Sequence, residues 1–159
     1  MAEVEVLAEV QIAPAFAHTL SENHLRTVAE GVLRHEGTPG QVTLVITDDR
    51  GIRELNRDFV GIDAPTDVLA FSAREGDSPF VAAPGAGNYW GDVIVSYPRA
   101  VAQAEELGHP LELEINLLVV HGLLHLLGYD HGGEAEKALM WARQEEILRS
   151  LQVRRGLQF

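Results

Sequence analysis

The chain contains no cysteine. That absence removes thiolate nucleophiles, disulfide bridges and sulfur-ligated zinc together, so any bound metal must be held by histidine, carboxylate, carbonyl or water. It also suits a reducing compartment, and the expected location is the cytoplasm. Positive charge is scarce: 12 Lys plus Arg stand against 24 Asp plus Glu, a formal net charge of -12. Non-specific binding to nucleic acid by bulk electrostatic attraction is unfavourable at this balance, because a polyanion is repelled except where cations gather locally. Long unbroken apolar runs are missing, and the opening "MAEVEVLAEVQIAP" has acidic residues where a signal peptide carries a basic start. Export and membrane insertion are therefore not expected. Low-complexity tracts are absent as well, which sets aside disordered and fibrous classes.

What is present is 159 residues, of which 46% are hydrophobic and 23% charged. That length buries a sizeable core without disulfides, and a single domain over residues 1–159 is expected. Alternation of Val4, Val6, Val10 and Ile12 with Glu and Gln predicts a first strand, irregular around Leu7 and Ala8. Ser21 is placed to cap a helix reaching His35, with Leu25, Val28, Ala29, Val32 and Leu33 facing inward. "QVTLVITDD" predicts a second strand ending at Asp48 and Asp49, followed by a short helix from Ile52 to Phe59. "TDVLAFS" (66–72) and "WGDVIVS" (90–96) are two further strands. The Gly- and Pro-rich stretch between them is an exposed loop, either beside a site or a plain connection.

Pro98 opens a helix reaching Leu107, and Pro110 repeats that signature before "LELEINLLVVHGLLHLLG", which Gly128 is placed to end. A last helix from Glu134 to Leu151 would carry Leu139, Met140, Ile147 and Leu148 on its apolar side; the tail "VRRGLQF" predicts nothing definite. The sum is an α+β fold, a mixed sheet of about four strands packed with about five helices, the latter gathered late in the chain.

Within "HGLLHLLGYDH", residues 121–131, three histidines fall in eleven positions. His121 and His125, four apart on a helix, share one face and come within reach of a common ion. Gly128 then turns the chain, and His131 follows three residues later. The spacing is that of a zincin-like metal motif, except that Gly122 stands where the general-base glutamate of HExxH belongs. A peptidase mechanism of the ordinary kind loses its base. Three neutral imidazoles leave zinc its full charge and an open coordination position, which makes hydrolysis the natural reaction class. Asp130 either orients an imidazole and takes a proton at such a site, or simply forms the turn.

"HGLLHLLGYDH", "LNRDFVGIDAPTDVLAFS" (55–72), "WGDVIVS" and the closing "QEEIL" together resemble the YbeY family of single-strand-specific endoribonucleases. The resemblance covers about residues 41–149. It implies His121, His125 and His131 as ligands of one Zn2+, with other divalent metals as substitutes. It also implies an α+β fold, a role in small-subunit ribosomal RNA 3′-end maturation and ribosome quality control, and partners in ribosomal RNA and the small ribosomal subunit or its proteins, with no DNA and no membrane. Asn56, Thr66 and Asp67 are candidate substrate-binding residues. The family's arginine after the aromatic residue is missing, because Phe59 is followed by Val60. Arg57 is the candidate to serve in its place, or else is a plain solvated arginine. Two other readings stand beside the nuclease: a ribosome-associated binding factor with a structural metal, and a metalloprotease-like hydrolase.

Overall fold

The computed structural model describes residues 4–73, 88–129 and 132–155, with side chains as far as residue 151. Four strands form one sheet in the order β1-β2-β4-β3, where β1 is Val6–Ile12, β2 Gly40–Thr47, β3 Val68–Ser72 and β4 Tyr89–Ser96. The pairs β1/β2 and β2/β4 are parallel, and β3 runs antiparallel to β4 along one edge. Among the described residues, five α-helices accompany the sheet: α1 Glu22–His35, α2 Asp49–Leu55, α3 Tyr97–Leu107, α4 Leu111–Leu126 and α5 Glu134–Arg155. This is the mixed α+β architecture read from the chain.

Sheet residues alternate between two apolar layers, as a period of two requires. Val42, Leu44, Ile46, Val93 and Val95 join one large core with Leu25, Val28 and Val32 of α1 and Val119, Val120, Leu123 and Leu124 of α4. Ile94 and Phe71 point the other way, where Ile52 of α2 closes a smaller cluster. β4 is buried from Gly91 to Ser96 because both its faces are covered, as in the centre of a parallel sheet.

Local signals account for most boundaries. The Ser21 hydroxyl accepts from the His24 N–H and starts α1. Asp48 lies beyond the end of β2; its carboxylate accepts from the Gly51 N–H at 2.7 Å and caps α2. The helix expected over Ile52 to Phe59 begins earlier, at Asp49, and its last turn widens into a π-helical segment, Asn56–Val60, ended by Gly61 in the left-handed region. Pro98 lies in the first turn of α3, whereas Pro110 is the N-cap of α4 and stands outside it.

Two expectations change. The register of β1 against β2 runs unbroken from Val6 to Ile12, so no irregularity falls at Leu7 and Ala8; Leu7 faces outward and Ala8 inward. Leu139 is 58% exposed and does not belong to the inner face of α5. That face is Met140, Gln144, Ile147, Leu148 and Leu151, at offsets of four, seven, eight and eleven from Met140; Leu139 sits about 100° away around the helix. The loop expected between β3 and β4 lies, over residues 74–87, outside the described residues; of the unassigned tail, 153–155 continue α5 and 156–159 also lie outside.

Candidate metal centre

α4 is the element around which the site is built. It packs on α1, α3, α5, β3 and β4, and ten of its sixteen residues are buried, so its apolar run is the buried-all-round pattern of a core helix. Its last two turns carry His121 and His125, both half-buried. Their rings lie with centroids 4.9 Å apart, a closeness that the four-residue spacing allows, and planes at 77°, edge to face.

Beyond them the helix closes in a Schellman turn. Gly128 takes φ 101°, its N–H donates to the His125 carbonyl at 3.1 Å, and the Tyr129 N–H donates to the Leu124 carbonyl at 3.0 Å. A side chain with a Cβ would be strained at that φ, which is why glycine turns the chain here. Asp130 and His131, the next two residues of the motif, lie outside the described residues.

Two side chains of α5 reach this end of α4. Gln144, 2% exposed, lies with its Oε1 3.1 Å from Nδ1 of His121. Arg143 donates from Nε to the Tyr129 hydroxyl at 3.0 Å, while that hydroxyl donates to Glu36 Oε1 at 2.6 Å. Burial, and then the bond to Glu36, push the Tyr129 phenol up from its ordinary pKa. Arg143, bonded to the phenol and close to Glu36, is raised in turn. A cleft of about 590 Å³ beside the turn is lined by Glu36, Thr38, Leu127, Gly128, Tyr129 and Glu136 among others. Its two carboxylates make it a poor seat for a phosphate.

Gly122 explains itself by contact. A Cβ there would lie 2.6 Å from Val93 Cγ1 and 3.2 Å from Val68 Cγ2, so the residue after the first histidine faces the sheet. No glutamate can stand at that position without prising α4 off β3 and β4.

The remaining candidates gather on the segment leading into β3. The buried Asn56 amide donates to the Ala64 carbonyl at 2.9 Å and braces the turn after the π-helical segment. Asp67 accepts at Oδ1 from the Val68 N–H at 2.8 Å and from the Thr66 hydroxyl at 3.4 Å, and at Oδ2 from Gln103 at 3.2 Å. Val68, which follows directly, packs at Gly122, so this strand end meets α4 one residue past His121. Arg57 is exposed and its Nε donates to Asp58 at 2.9 Å, which raises the guanidinium pKa. Val60 is 50% exposed between Phe59 and Ile62, themselves 52% and 55% exposed.

Among the described residues, no three histidine or carboxylate side chains gather where they could hold an ion; the two histidines present are donors of the kind zinc takes. Two imidazoles share one helix face, and thiols are absent from the chain. Gln144 lies at Nδ1 of His121, on the opposite side of the ring from Nε2. The residues missed in reading the sequence are Gln144, Glu36, Tyr129 and Arg143. A glutamine inside the apolar stripe of α5 was the one available sign of the first; nothing local marks Glu36 as the partner of Tyr129.

Fold and histidine pair together define an α+β protein with a candidate metal centre at the end of its core helix. The model of the Endoribonuclease YbeY family matches residues 8–152, and the chain belongs to that family. It is 46% identical over 154 residues to the Endoribonuclease YbeY of Roseiflexus sp. (strain RS-1), covering 95% of this chain and 96% of the relative. To that of Moorella thermoacetica it is 49% identical over 135 residues, covering 82% and 86%. The solution structure of TM1509 from Thermotoga maritima is similar with a TM-score of 0.62 at 26% identity, covering 92% of this chain and 90% of that one.

Proposed function

We propose that the protein is a metal-dependent endoribonuclease acting on single-stranded RNA, with ribosomal RNA of the small subunit as its substrate and the cytoplasm as its place of action. The observation that carries this reading is the pairing of His121 and His125 on one face of α4, closed by the Gly128 turn, in a chain whose relatives are named endoribonucleases. Among the described residues, no helix is long and apolar enough to cross a membrane.

His121 and His125, with His131 from the segment after the turn, would hold the zinc ion. When bound, that ion supplies Lewis-acid chemistry, activating water and polarising a phosphoryl oxygen. The protein's own groups do the rest. Asp130 follows Tyr129, which Glu36 and Arg143 hold, and is the candidate to take a proton from the attacking water. Arg57 would break its exposed pair with Asp58 to meet a phosphate, at little cost because surface pairs contribute little. Asn56, Thr66 and Asp67 shape the strand end beside α4 and are the candidates to line the RNA path. With a net charge of -12, the chain is expected to bind free RNA weakly and to rely on the small subunit or its proteins for positioning.

The facing of Gly122 into the sheet counts against the metalloprotease-like alternative. One observation favours a second reading, a ribosome-associated binding factor with a structural metal: Phe59, Val60 and Ile62 present exposed apolar surface where the family carries a cation.

The deciding experiment is metal analysis of the purified protein followed by cleavage of a single-stranded RNA. Cleavage should be lost on chelation and in His125→Ala. Stoichiometric zinc without cleavage would favour the binding factor, and cleavage that survives both treatments would sink the metal mechanism.

A further inference from the structure

The inner face of α5 is Met140, Gln144, Ile147, Leu148 and Leu151, and Gln144 is the one polar residue in it. A primary amide in such a stripe is destabilising if its groups stay unpaired, so a glutamine there needs a partner of matching chemistry. The partner lies across the α4/α5 contact: Nδ1 of His121, 3.1 Å from the amide oxygen.

We infer that Gln144 is a positioning residue for the metal centre, fixing which nitrogen of His121 faces the ion. An amide oxygen only accepts, so it holds the imidazole proton on Nδ1 and leaves the lone pair on Nε2. The same bond fixes the ring's rotation, because the plane of His121 must keep Nδ1 aimed at α5. A ligand free to turn loses entropy when the ion binds, so a ring held beforehand takes up the ion at lower cost. α5 thereby serves the site without touching the ion.

His121 and Gln144 are 23 positions apart, on helices joined through the His131 segment, so packing of α5 on α4 sets the ligand's tautomer. Arg143, the residue before Gln144, holds Tyr129 on the far side of the Gly128 turn. Adjacent positions on one helix therefore hold His121 and the turn by which the chain leaves α4.

This inference rests on reading His121 as a metal ligand, and the test separates the two. In metal-free protein above the imidazole pKa, nitrogen-15 shifts should show His121 as the Nδ1–H tautomer. In Gln144→Leu, which keeps the volume and removes the acceptor, that tautomer should lose its dominance and zinc affinity, measured by competition with a chromophoric chelator, should fall about 10- to 100-fold. Gln144→Glu keeps an acceptor at the same place and should restore both. A wild-type His121 carrying its proton on Nε2 overturns the inference, as does a folded Gln144→Leu with unchanged zinc affinity. If the wild-type protein binds no zinc, the metal reading fails, and the tautomer measurement alone still decides what Gln144 does.

Discussion

Tyr129 and Glu36 are 93 positions apart in the chain, and the phenol donates to the carboxylate at 2.6 Å. The bond ties the end of α1 to the turn that leaves α4, and Arg143 of α5 completes it by donating to the phenol oxygen. Three helices thus meet at the residue just before Asp130.

Tyr129→Phe removes two hydrogen bonds to charged groups, one donated to Glu36 and one accepted from Arg143, while Glu36 keeps His35 at 3.0 Å and Arg143 at 3.6 Å. The expected loss is roughly 1 to 3 kcal/mol of stability. Urea denaturation checks it: the midpoint should fall with the slope unchanged, since the folded state stays as compact.

Gly122→Glu writes HExxH into the chain. Helix propensity improves by up to about 1 kcal/mol over glycine, yet the new side chain enters a contact where even a Cβ would stand 2.6 Å from Val93. Overpacking of about 1 to 3 kcal/mol, with a carboxylate driven into apolar surroundings, outweighs that gain. The variant should be less stable and have no peptidase activity. A well-folded variant that cleaves casein would contradict this packing argument.

Val60→Arg places a cation on a surface that is 50% exposed, so stability should move by no more than about 0.5 kcal/mol. RNA cleavage should rise, and the salt dependence of RNA binding should steepen by about one phosphate contact. Unchanged cleavage and salt slope would mean that position 60 does not meet the RNA.

Tyr89 donates its hydroxyl to the fully buried Asp92 and lies 2.7 Å from the Thr43 hydroxyl. Burial first, and then the bond to Asp92, push its pKa upward. The folded state therefore keeps this proton after the unfolded chain has lost it. Stability is full below the unfolded phenol's pKa of about 10 and declines as pH rises past it. Tyr129 is shifted in the same direction and adds to the decline. In Tyr89→Phe, denaturation midpoints measured from about pH 8 to 11 should fall less steeply than in the wild type.

Elements and their ends were legible wherever the information is local. Ser21 as a cap, the alternation of β2 and the placing of Gly128 each act within a few residues, through one hydrogen bond or one dihedral angle. The pairing of His121 with His125 was legible for the same reason, because four residues on a helix make one turn. Leu139 was misread because several leucines of α5 offer competing helical faces, and only packing against α4 and α1 selects the one holding Gln144. The bonds of Asn56 and Asp67 were equally hidden. Asn56 serves a backbone carbonyl eight residues on, and Asp67 a glutamine of α3, partners that no spacing rule names.

By itself the sequence determined the helix that carries two imidazoles, the glycine that ends it and the absence of any thiolate ligand, since these follow from periodicity, dihedral preference and composition. Tertiary structure alone decided that Gly122 is a contact with the sheet, that Gln144 stands behind His121 and that Glu36 holds Tyr129. Those relations depend on how distant segments pack in three dimensions, and packing is settled by the whole core at once, not by any one stretch of chain.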